Sequence, residues 1–248
     1  MSYLNTKPLV YGFENGRMKD EIELVSDYPS RIAAQLLNDE IDIGLIPVAV
    51  IPNLKKHYII SDYGIGASNP VASVCLFSDV PLNEITHVLM DYQSRTSAEL
   101  LKILLKHHWK ILPVLIDTEN GYQQAIKGTT AGLIIGDRAL RQRRHSKYIY
   151  DLAQEWRAMT GLPFLFAAWV ANKKLAPEFI KNFNEATAEG LQHINEIVAA
   201  NPFAEYDLHT YYTKNIDYNL DAEKQEALKR FLQYLSAEEQ DRSRVAGF

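Results

Sequence analysis

The stretch Asp91-Tyr92-Gln93-Ser94-Arg95-Thr96-Ser97 sets three aliphatic hydroxyls and a guanidinium between an apolar run and a helical pattern. Backbone N–H groups at a helix start point outward without intrahelical partners. Beside hydroxyls and an arginine they form a seat for a carboxylate or phosphate. Thr96 and Glu99 read as a capping box, Thr96 accepting from the Glu99 N–H while Glu99 reaches back. The same pattern opens many helices that bind nothing, so the cap alone does not make a site. Two other polar residues have similar placements. Asn5 stands between Leu4 and Thr6-Lys7-Pro8, where a strand end is expected to turn into a loop. Asp137 follows Ile134-Ile135-Gly136, where a carboxylate serves as a base or simply caps a turn.

The elements that must hold these residues follow from periodicity. Ile85 to Met90 reads as a mostly buried strand, and Leu100, Leu101, Leu104, Leu105 and His108 recur on one helical face. Glu21 to Val25 reads as a short strand. Pro29 suits the first turn of a helix through Leu37, and Ile41 to Ile46 is a buried strand ending at Pro47. That phrase returns as a short helix over Gly121 to Lys127, a break, and an apolar strand over Ala131 to Ile135 ending at Gly136-Asp137. Repetition of helix, turn, strand and polar tip points to two α/β lobes. Pro70 to Ser78 and Leu162 to Asn172 are apolar enough to cross between them, making a hinge and a cleft. The expected division puts 1–91 and 169–248 in one lobe, with the C-terminal helices, and 92–168 in the other. In that tail Ile180, Phe183, Leu191, Ile194 and Val198 form one core stripe, and Leu228, Phe231, Leu232 and Leu235 another.

Composition excludes several classes of function. A net charge of −5 disfavours nucleic acid and requires local donors for any anionic ligand. Cys75, the only cysteine, lies in an apolar run and reads as a buried hydrophobe. The seven histidines show no metal spacing, and no phosphate loop is present, so neither cofactor nor metal is expected. His107 and His108 read as favourable charge near a helix C-terminus. The basic run Arg138 to His145 reads as a solvated helix face. With no leader ahead of the first motif and no apolar run long enough to span a bilayer, the expected location is the cytoplasm, with no membrane partner.

Five phrases in order then resemble one family: Ser2-Tyr3-Leu4-Asn5-Thr6-Lys7-Pro8, Ile41 to Pro47, Ser94-Arg95-Thr96-Ser97, Ile135-Gly136-Asp137-Arg138-Ala139-Leu140 and Thr160-Gly161-Leu162-Pro163-Phe164. Together they resemble the chorismate dehydratases of the futalosine route to menaquinone. The resemblance implies a type II periplasmic-binding-protein-like fold and a hydro-lyase that turns chorismate into 3-[(1-carboxyvinyl)oxy]benzoate and water. It implies that Ser94, Arg95, Thr96 and Ser97 seat one carboxylate and that Ser68 and Asn69 hold the other. Pro47, Gly136 and Asp137 would stand at the substrate, with Asn5 as the catalytic polar group. The base is either Asp137 or, preferred, the substrate's own enolpyruvyl carboxylate. Two departures stand out. Asn69 replaces the glycine of many relatives, and only Met1 precedes the first phrase, where relatives usually carry an apolar strand. The alternatives are a non-catalytic binder of small anions and the dihydroxynaphthoate-forming lyase of the same pathway.

Overall fold

The structure is a computed structural model that describes residues 3–16 and 18–246, with side chains through 240. Ser2, which opens the first phrase, and Met1 before it lie outside the described residues. From Tyr3 the chain differs from the expected strand end. Leu4–Thr6 is a 3-10 turn running into α1 (Lys7–Asn15). Pro8 falls in the first turn of that helix, where its missing N–H costs nothing. α1 packs tightly on α6 (Pro177–Gln192), because a Cβ at Gly12 or Gly190 would strike the other helix's backbone at Ala186 or Pro8.

Two sheets divide the strands. The first contains β1 (Ile43–Pro47), β2 (Tyr58–Ala67), β8 (Phe164–Ala171) and β9 (Asp217–Asn219), in the order β1-β8-β2-β9, with every neighbour antiparallel. The second contains β3 (Val74–Ser78), β4 (His87–Met90), β5 (Val114–Asp117), β6 (Thr130–Ile135) and β7 (Tyr148–Asp151), in the order β5-β4-β6-β3-β7. In it β4 runs parallel to β5 and β6, and β3 antiparallel to β6 and β7. The chain passes to the second sheet after Ala67 and returns through α5 (Leu152–Thr160) into β8. β3 and β4, expected with the first half of the chain, thus pair in the second sheet. Their apolar runs signal burial but carry no information about which sheet buries them.

The helices follow their apolar stripes. α2 (Pro29–Leu37) starts on Pro29 as expected and buries Ala33 and Leu36. α3 (Arg95–Ile103) continues as a π-helical turn over Leu104–Trp109, burying Leu100, Leu101, Leu104 and Leu105. His107 and His108 close that turn against Glu238 at 2.8 Å and Glu155 at 3.1 Å. α4 (Gly136–Gln142) follows β6, while α7 (Ile194–Ala200), α8 (Leu208–Thr210) and α9 (Ala222–Ala246) complete the tail. Trp156 of α5 is fully buried and meets Phe164 of β8 and Phe231 of α9 edge to face, at 5.3 and 6.2 Å. Burial of such rings fastens the returning strand to the C-terminal helix.

Two expected elements differ. Gly121 to Lys127 yields only a 3-10 turn over Tyr122–Ala125, too short for propagation to repay helix nucleation. Glu21 closes a turn on Met18, and Ile22 to Val25 has no regular structure and joins no ladder. With residues 41–45 the segment lines a second, larger cleft, and it pairs with no strand among the described residues. Among the described residues no helix is long and apolar enough to cross a membrane.

Candidate functional site

A cleft of about 570 Å³, its mouth included, draws its walls from both sheets and the loops between them. Asn5, Pro47 at the end of β1, and Phe166 and Ala167 of β8 line one side. Ser73 before β3, Ser94 and Ser97 at the start of α3, and Gly136 at the start of α4 line the other.

Asn5 is held by its backbone: its carbonyl accepts from the Tyr218 hydroxyl at 3.1 Å. One residue earlier, the Leu4 N–H donates to the Asp137 carboxylate at 3.1 Å. The side chain is therefore spare. The residue lines the cleft, and its Oδ1 is buried with no hydrogen-bond partner among the described residues. An orphaned buried acceptor costs about 1–3 kcal/mol, a cost that a donor from a bound molecule relieves.

The facing wall is the N-terminus of α3. Its cap is Ser94, whose hydroxyl accepts from the Ser97 N–H at 3.3 Å and lies 3.0 Å from the Ser97 hydroxyl. This corrects the capping box expected at Thr96. Thr96 is buried within the first turn, where its hydroxyl accepts from the Ala49 N–H at 3.1 Å, and Glu99 pairs with Lys102 at 2.8 Å. The Thr96 bond ties α3 to the 3-10 helix Val48–Asn53, directly after Pro47, and so fixes one end of the cleft against the other. Arg95 is exposed and absent from the lining.

Gly136 has φ +62°, and a Cβ there would stand 2.5 Å from the Tyr3 ring, so only glycine fits. Its N–H donates to the Ser73 carbonyl at 2.7 Å. Asp137 turns away from the cleft towards the N-terminal turn, and burial raises its pKa. Ser68 and Asn69 fall outside the lining. The Ser68 hydroxyl donates to Asp217 at 2.7 Å, and fully buried Lys224 meets the same carboxylate at 2.7 Å, while Asn69 is exposed.

Sequence reading missed three residues. Ser73 lines the cleft and receives the Tyr211 hydroxyl at 2.7 Å; its signal is a lone polar residue within an apolar run. Tyr3 lines it too, its phenol on Gln93 and its pKa pushed upward by burial. Arg138 is no part of a solvated face. It turns inward to Asp91 at 2.7 Å and to the Gln93 side-chain oxygen at 2.8 Å. That pair neutralises a fully buried carboxylate behind the cleft, and Tyr122 donates to the same Asp91 at 2.7 Å.

The Ser73, Ser94 and Ser97 hydroxyls and the Asn5 carboxamide thus share the cleft with apolar walls from Leu45, Ile65, Val74, Ile135 and Phe166. Such a surface suits a small ring carrying carboxylate and hydroxyl groups. No lysine or arginine lines the cleft among the described residues, so an anion is received by dipoles rather than by a net positive charge.

Relatives and solved structures agree with this architecture. A chorismate dehydratase of Campylobacter jejuni is 29% identical over 247 residues, covering 96% of each chain. One of Thermus thermophilus is 25% identical over 231 residues, covering 84% of each. An Archaeoglobus fulgidus protein solved by X-ray crystallography superposes with a TM-score of 0.73 at 13% identity, covering 96% of this chain and 95% of that one. The alkanesulfonate-binding protein of Xanthomonas axonopodis pv. citri, solved with MOPS, gives 0.60 at 14% identity, over 95% and 89%. The fold is that of periplasmic binding proteins, as expected, and at such identities these structures speak to fold alone. A family model described as menaquinone biosynthesis matches residues 1–237, and the chain belongs to that family.

Proposed function

We propose that the chain is a cytoplasmic chorismate dehydratase, a hydro-lyase whose two lobes, each built on one sheet, hold chorismate in the cleft between them. The relatives' activity and the cleft's donor set both support the reading, and the single observation that carries it is a cleft lined by Asn5, Ser73, Ser94 and Ser97 between apolar walls, with no charged side chain in the lining among the described residues.

The chemistry follows from the substrate. A proton leaves the ring carbon that bears the enolpyruvyl ether, and the electron pair passes through the ring double bonds onto the ring carboxylate. Hydroxide then departs from the adjacent carbon and takes up the proton, leaving a benzoate and one water. Charge builds on the ring carboxylate, so donors that strengthen with it lower the barrier. The start of α3, with the Ser94 and Ser97 hydroxyls, is that seat. A helix N-terminus contributes up to about 2 kcal/mol for a partly buried anion. Asn5 accepts from the hydroxyl that will leave and holds it in line. The described lining residues supply no carboxylate, imidazole or amine, which favours proton removal by the enolpyruvyl carboxylate over Asp137.

The test is to incubate the purified chain with chorismate and weigh the products. A product lighter by one water carrying a meta-substituted benzoate ring supports the reading. Chorismate returned unchanged despite saturable binding would make the chain an anion carrier instead.

A further inference from the structure

The outer edge of the second sheet is open and apolar. Leu112, Val114, Leu115 and Ile116 are 91%, 58%, 39% and 39% exposed, half of the large apolar residues exposed among those described. They lie on or next to β5, at the end of the order β5-β4-β6-β3-β7. Natural edge strands carry charges, bulges or covering segments that prevent pairing with other chains. β5 carries only Asp117 at its end and Pro113 just before it, no charge falls along Val114–Ile116, and every residue of the strand is exposed.

The backbone shows which groups are free. The Val114 N–H donates to the Thr86 carbonyl at 2.9 Å, and β5 runs parallel to β4. In a parallel ladder a residue's N–H and carbonyl point to the same side. Val114 and Ile116 therefore spend theirs on β4, while those of Leu115 and Asp117 point outward. Pro113 offers outward only a carbonyl.

We propose that β5 is the self-association edge of this protein, pairing antiparallel with β5 of a second copy about a twofold axis at Leu115. In that register Leu115 and Leu115 of the partner subunit exchange two hydrogen bonds. The Asp117 N–H donates to the carbonyl of Pro113 of the partner subunit, and the symmetric bond forms in return. The missing proline donor falls opposite a carbonyl that stays open to water, so proline at this position does not interrupt the pairing. Val114 packs on Ile116 of the partner subunit across one face, and the two Leu115 side chains meet on the other. Charge selects the same direction. Lys110 precedes the strand and Glu119 follows it, so antiparallel pairing brings opposite charges together, whereas parallel pairing would align like with like. Two five-stranded sheets become one of ten strands, closed by the twofold. One strand pair lies at the low end of specific interfaces, below roughly 1,200 Å² in total, so association belongs in the micromolar range.

Sedimentation velocity on the full chain, from low to high micromolar concentration, tests this. The expected result is a reversible monomer–dimer equilibrium. Leu115→Pro removes only an outward donor, a place where edge strands tolerate proline, and should weaken dimerisation by at least about tenfold. Ile116→Lys, a surface change that leaves the backbone intact, should do the same, with chorismate turnover by the monomer unchanged. A monomer at every concentration, open-ended growth beyond the dimer, or a dimer that survives both substitutions would overturn the proposal.

Discussion

Two serine-bearing tips read alike in the sequence, Ser94 to Ser97 and Ser68-Asn69, and each was expected to take one carboxylate. The structure treats them differently. At the first, the Ser94 and Ser97 hydroxyls lie 3.0 Å apart at the start of α3, and both residues line the cleft. At the second, the Ser68 hydroxyl is committed to Asp217, whose charge is met by buried Lys224. A hydroxyl recognises a ligand only if its proton is not already given to a stronger acceptor. Ser68 serves instead to join the crossing segment to β9 and α9.

Substitutions at the two tips, and at the residues facing them, should therefore separate widely. The largest loss is expected at Asn5→Ala. Removing a side chain that binds the reacting group typically costs about 10²-fold or more in kcat, and the melting temperature should hold or rise, because the buried Oδ1 has no hydrogen-bond partner among the described residues. Gly136→Ala comes next. A left-handed φ and a clash with Tyr3 should cost about 1–3 kcal/mol in stability and lower turnover by roughly tenfold as the N-terminal turn shifts. Ser97→Ala should lower kcat about tenfold with a smaller change in KM, because a donor that strengthens as charge builds on the ring carboxylate acts mainly in the transition state. Ser68→Ala should leave both within about twofold, with a stability loss near 1 kcal/mol read from denaturant titration.

Asp137→Asn sharpens the comparison through pH. Burial raises the pKa of Asp137, so between the ordinary carboxylate value and that raised value the folded chain binds more protons than the unfolded one. Its contribution is most favourable in acid and is lost as pH rises through the window. Asparagine accepts the same Leu4 N–H without a charge, so the variant should be at least as stable at neutral pH, with a flatter dependence of melting temperature on pH. Near-normal turnover would remove Asp137 as the base, while a collapse in kcat would reinstate it.

Much of the scaffold was legible because it depends on local patterns. Pro29 marked a helix start and the apolar runs at Ile43–Pro47 and Thr130–Ile135 became strands, whereas Phe164–Ala171, expected only as part of a crossing segment, is an inner strand of the first sheet. The site was legible where a residue's role depends on its own turn, as for Ser94, Ser97 and Gly136. It was not legible where a distant partner decides. Thr96 looked like the cap until the Ala49 amide claimed it, and Arg138 looked solvated until Asp91 drew it inward. Glu21 to Val25 has the alternation of a strand, yet a strand needs a neighbour, and none of the described segments reaches it.

The most direct measurement is a crystal structure of the Asn5→Ala chain soaked with chorismate, which the slowed variant should retain. The account predicts the ring between the Leu4–Thr6 turn and Ser94–Ser97, with one carboxylate on the α3 amides. A ring bound beside Ser68-Asn69, or in the larger cleft at the edge of β1, would contradict it.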